Sequence, residues 1–179
     1  MHARLAEAMD YVEQKRKELL ESLAGLPDDT LRRRAVPNRW SVAEIIEHLR
    51  LVESGVARLI TKRVRQARDA GVGEERSTES VMPSFDSYRA RLESVVLQSP
   101  EGVRPRSDVD YNDALAGLGL TREALRDAAA SANGIALSEI KHTHPILGEL
   151  DLYQWLIFLG QHEERHRKQI ERTLQSLSK

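Results

Sequence analysis

The chain has no cysteine. Disulfides, thiolate-ligated zinc and a cysteine nucleophile are therefore excluded, and any metal must be held by His, Asp or Glu. Aromatic residues are also scarce, at 4%, too few for the inner faces of a β-sandwich. Charge of one sign is missing as well: 27 Lys plus Arg stand against 28 Asp plus Glu, a formal net charge of -1. Such a surface has no global field to attract nucleic acid, which is not expected as a partner. The most apolar stretch, Leu152 to Leu159, is far shorter than the roughly 20 residues that span a bilayer, so no membrane is expected either. The opening MHARLAEAMD is charged and lacks the apolar core of a signal peptide, which predicts a cytoplasmic protein.

What is present suits long amphipathic helices: 40% hydrophobic and 31% charged residues in 179, the length of one domain spanning 1–179. Leu5, Met9, Val12, Leu19 and Leu23 keep helical spacing until Gly25 and Pro27 end the first helix. Arg16 falls on the same seam, where its stem is expected to lie along apolar surface with the charge in water. Ser41 with Glu44 forms a capping box, and Val42, Ile45, Ile46, Leu49, Val52, Val56, Leu59 and Ile60 carry a long second helix towards Arg68 and Gly71. From Gly71 to Leu120 the pattern weakens around Pro83, Pro100 and Pro105, with one short helix expected over Phe85 to Leu97. A connection that long is expected to pack as a crossover that roofs a site. Thr121 is expected to cap the third bundle helix, which Asn133 and Gly134 stop. A loop from His142 to Gly148 follows, and Asp151 with Gln154 opens the last helix towards Leu174. The expected fold is all-α, an up-and-down four-helix bundle with one long crossover connection.

The candidate chemistry lies on the seams. Leu152, Trp155, Leu159, His162, His166, Gln169 and Thr173 alternate steps of three and four, which turns two histidines towards the core. Residues four apart on a helix have Cβ atoms about 6 Å apart, so both imidazoles can reach one ion. His48 follows Ile45 by three and precedes Val52 by four, so it shares the buried face of the second helix. A lone inward histidine is more often a hydrogen-bonded core residue. Three neutral imidazoles around a divalent cation satisfy their ring nitrogens and leave coordination positions open.

HEERH at 162–166 also matches the zinc-protease pattern, with Glu163 as general base. The third ligand of that pattern usually lies downstream, where the tail has no further His and leaves only Glu171. Glu163, Glu164 and Arg165 read instead as a solvated charged face. Trp155 and Leu159 read as core, Arg32-Arg33-Arg34 as a solvated turn, and His142 and His144 as loop residues rather than ligands.

With these residues in place, RWSVAEIIEHL at 39–49 and HPILGELDLYQWLIFLGQHEERHRKQI at 144–170 resemble the second-helix and terminal motifs of the DinB-like superfamily. The resemblance implies a metal-binding bundle, commonly a homodimer, with ligand positions at His48, His162 and His166. Val95, Val96 and Leu97 offer apolar surface for such an interface. Members similar to this chain include transferases that use low-molecular-weight thiols such as bacillithiol, and mycothiol-dependent isomerases. The expected function is therefore a metal-dependent transferase with a small-molecule thiol and an electrophile as partners. A metal-dependent hydrolase and a non-enzymatic metal-binding stress-response module are the alternatives. Three imidazoles suit zinc, nickel, copper and iron; zinc or nickel is expected first.

Overall fold

The computed structural model describes residues 1–94 and 99–178, with side chains for all of these except 91–94. Val95, Val96 and Leu97 lie outside the described residues. Helix α1 spans Ala3–Leu23, α2 Asp28–Arg32, α3 Val42–Asp69, α4 Asp86–Ser94, α5 Tyr111–Ser131 and α6 Leu152–Leu177, with a hairpin of β1 Lys141–His144 and β2 Gly148–Asp151. Both expected capping boxes form: Ser41 with Glu44 opens α3, and Asp151 with Gln154 opens α6.

The four long helices form a bundle in which α3 packs along α5 and α1 along α6. Glu53 meets Thr121 and Arg68 meets Ser131, so α3 and α5 run parallel. Arg4 meets Tyr153 and Arg16 meets Glu163, so α1 and α6 are parallel too. The long crossover between α3 and α5 is what permits this order, because a short loop returns the chain antiparallel. Gly160 sits where α1 crosses α6, and a Cβ there would run into the Tyr11 ring.

Two expectations fail locally. The third bundle helix starts at Tyr111, ten residues before Thr121, with the Asp110 side chain accepting from the amides of Asn112 and Asp113 at 2.9 and 3.1 Å. Gly117 and Gly119 are poor helix formers, but both lie inside α5, where Gly117 leaves the space that Arg50 of α3 fills. The segment from His142 to Gly148 is an antiparallel hairpin rather than a loop, with His144 opposite Gly148 and Leu150 opposite His142. Helix α4 begins at Asp86 after a short 3-10 turn over Met82–Phe85.

The core divides into two apolar clusters. One joins Leu5, Val12, Ile60, Leu125, Leu150 and Leu156, and the other Leu19, Ile45, Ile46, Leu118 and Ile170. Between them each long helix places one buried arginine or glutamate: Arg16, Glu53, Arg122 and Glu163. These four are 6, 1, 3 and 3% exposed, so an ionic layer crosses the bundle at mid-height.

Candidate metal centre

Helix α3 supplies His48 and α6 supplies His162 and His166, one turn apart. His48 and His166 are buried and His162 is partly exposed. The Nε2 atom of His162 lies 3.2 Å from Nε2 of His48 and 3.2 Å from Nε2 of His166, and the three ligand atoms all lie within 4.8 Å of one another. Trp40 packs against His48 with ring centroids 5.0 Å apart.

The outer nitrogens decide what the inner ones are. His48 Nδ1 lies 2.7 Å from the Val103 carbonyl oxygen, and His166 Nδ1 lies 2.9 Å from Gln169 Oε1. Both partners accept only, so in the neutral rings Nδ1 carries the proton and Nε2 presents a bare lone pair. Two lone pairs then point at His162 Nε2, which has one in-plane site and can donate to one of them at most. The donor set is therefore short of hydrogens, and it fits a cation. Zinc–imidazole bonds of about 2.0–2.1 Å in tetrahedral geometry separate ligand nitrogens by about 3.3 Å, close to the 3.2 Å of the two pairs that share His162. Burial, with neighbouring imidazoles adding, holds His162 well below the ordinary histidine value. Burial pulls His166 down to about 3 and lowers His48, so the neutral form of each ring is favoured.

Glu163 is not on a solvated face. It is buried, and its Oε1 accepts from Arg16 Nη2 at 2.6 Å and from Arg122 Nη2 at 2.8 Å. Glu53 accepts from Arg16, Arg122 and Thr121 at 2.9, 2.7 and 2.6 Å. Arg16 likewise does not reach water: its Nη1 donates to the Leu118 carbonyl at 3.2 Å. Burial alone would lower Arg16, but the Glu163 and Glu53 carboxylates outweigh it and raise it. For Glu163 burial wins over both guanidinium groups and raises its pKa, consistent with an Oε2 that has no hydrogen-bond partner among the described residues. The signal for Glu53 and Arg122 was a charge on an apolar seam: Leu49, Glu53, Val56 and Leu118, Arg122, Leu125 keep steps of three and four.

Residues 11–170 match the model of the DinB superfamily. This chain belongs to the DinB superfamily. A similar protein, the uncharacterized YuaE of Bacillus subtilis (strain 168), is 26% identical over 164 residues, covering 91% of this chain and 94% of YuaE. The crystal structure of TT2238, a four-helix bundle protein, aligns with a TM-score of 0.62 and 22% identity over 94% of this chain and 98% of its own, a likeness of fold.

In this DinB-superfamily chain the three histidines border a cavity of about 770 Å³. Its walls include Val56, Leu59, Trp155 and Phe158, and the crossover contributes Ser99, Pro100, Val103 and Arg104, as a roof drawn from residues 71–120 would. Trp155 is buried, yet it faces this cavity as well as the core. His142 and His144 are wall residues on β1 and do not join the triad. His144 Nδ1 accepts from the amides of Ile146 and Leu147, both at 3.1 Å, and burial lowers its pKa to about 4. The ring is thus neutral with its proton on Nε2. Arg32 ends α2 and pairs with Asp110 at 2.6 Å, while Arg34 is tied to Glu44. Among the described residues no helix is long and apolar enough to cross a membrane.

Proposed function

We propose that His48, His162 and His166 hold one divalent metal and that the site transfers a low-molecular-weight thiol to an electrophilic small molecule. The observation that carries this reading is the convergence of three ring nitrogens, two of them bare, at the edge of an open cavity. A site that only fastened α3 to α6 would be closed by a fourth protein ligand, and among the described residues no fourth His, Asp or Glu joins the three. Bound there, zinc or nickel would supply positive charge that lowers the pKa of an arriving thiol.

The remaining work falls to the chain. The Val103 carbonyl and Gln169 fix the tautomers and ring planes of His48 and His166. Val56, Leu59, Trp155 and Phe158 form an apolar wall that excludes water from the reacting pair. His144 adds a neutral N–H donor to that wall. With no cysteine in the chain, the sulfur nucleophile arrives as a co-substrate.

The test is a rate comparison. Metal-loaded protein is assayed with bacillithiol, mycothiol, glutathione and coenzyme A against alkyl and aryl halides, beside the chelated form and His162→Ala. Transfer above the uncatalysed rate only in the loaded wild type is the expected result. No transfer with any pair, together with hydrolysis of simple esters, would replace this reading with a metal-dependent hydrolase.

A further inference from the structure

The cavity beside the histidines is lopsided in charge. Arg39, Arg104 and Arg165 all line it, and among the described residues no Asp or Glu does. The three come from separate segments, and each adjoins a residue of the triad's surroundings in sequence. Arg39 precedes Trp40, which packs on His48. Arg104 follows Val103, which holds His48 Nδ1, and is pinned by its Nε to the Ser99 carbonyl at 3.0 Å. Arg165 precedes His166. The chain as a whole is nearly neutral, so this is a local excess. Trp155, Phe158 and Leu59 give the wall an apolar side.

We propose that the cavity takes an organic anion: a small molecule with an apolar body against the aromatic wall and a carboxylate or phosphate group held by these arginines. A guanidinium presents a planar fork of donors that matches either acid group. An acid can form charge-assisted hydrogen bonds with these groups that a neutral molecule of the same shape cannot. This deepens the thiol-transfer reading, since it names the class of molecule that the cavity holds, but its test does not depend on bound metal.

Trp40 and Trp155 are the only two tryptophans in the chain, and both line the cavity, so fluorescence reports on this site. Metal-free protein is titrated with phenylacetate, phenyl phosphate and neutral phenylacetamide at low salt. At least one of the acids is expected to bind about tenfold or more tighter than the amide, with the preference shrinking as salt is raised. Which acid binds better identifies the group recognised. Arg39→Gln/Arg104→Gln/Arg165→Gln is expected to abolish the preference while leaving the amide's affinity unchanged. Should the triple variant fail to fold, Arg39→Gln/Arg104→Gln, which alters two exposed positions, is expected to cut the preference severalfold. Equal affinity for acids and amide in the wild type, no binding of any probe, or a preference unchanged in the variants would overturn the proposal. Failure of the metal reading would appear instead as absent metal in elemental analysis, with the anion preference intact.

Discussion

His162 and Glu163 are neighbours in sequence but serve opposite sides of α6. His162 Nε2 lies 3.2 Å from His48 Nε2 at the cavity, while Glu163 Oε1 lies 2.6 Å from Arg16 Nη2 inside the bundle. The ionic layer therefore locks the rotation of α6, and with it the face on which His162 and His166 stand.

That layer should be costly to break from one side. Removing one partner of a buried ion pair leaves an uncompensated charge, worth about 3–5 kcal/mol, so Glu53→Ala should lower stability by about that much. Glu53 uses both oxygens, whereas Glu163 Oε2 has no partner among the described residues. Glu163→Gln should consequently destabilise less than Glu53→Gln. Urea unfolding of the four proteins checks this order, and equal or reversed losses for the two Gln variants would refute it.

The same pairing removes Glu163 from the role that HEERH suggests. A carboxylate held by Arg16 and Arg122 in the bundle interior does not line the cavity. Metal-loaded protein should leave unfolded casein intact. Metal-dependent cleavage that Glu163→Gln abolishes would contradict this.

Gln169 should matter through His166. It accepts from Nδ1 and so keeps the Nε2 lone pair free, and loss of such an outer partner typically lowers metal affinity about 10–100-fold. Gln169→Leu should show that drop in competition with a metal indicator, whereas Gln169→Glu, which keeps the acceptor, should not. An unaffected Leu variant would mean that Gln169 does not set the tautomer.

The metal-free protein should weaken in mild acid. Burial lowers His48, His162 and His166 from the ordinary value of 6.5, with His166 at about 3. Below 6.5 these three rings bind protons in the unfolded chain that they do not bind in the folded one. Their contribution to stability therefore falls with falling pH and is level above, while the raised Glu163 works in the opposite direction. The lowered carboxylates of Glu13, Glu44 and Glu75 act in the same direction, but only below their ordinary 4.5. Urea midpoints between pH 5 and 6.5 should decline, and less steeply in His162→Gln. A flat profile across that interval would contradict neutral, buried imidazoles.

The four long helices, both capping boxes and the inward turn of His48, His162 and His166 were legible because each rests on local spacing, whereas the five-residue α2 was not. The starts of α5 and the hairpin were not: α5 is opened by the Asp110 side chain rather than by Thr121, and the hairpin forms through strand pairing. Arg16 and Glu163 were misread for one reason: a charged side chain was assigned to water, although its place on an apolar seam required a buried partner. Those partners, Glu53 and Arg122, come from helices distant in sequence.

The central claim is a metal held by three histidines. Elemental analysis of gently purified wild type, His48→Ala and His48→Ala/His162→Ala/His166→Ala tests it most directly. About one divalent ion per chain in the wild type, most of it lost in the single variant and none retained in the triple, is the predicted result. Equal metal content in the wild type and the triple variant, or none in a wild type that also binds neither zinc nor nickel when offered them, would contradict it.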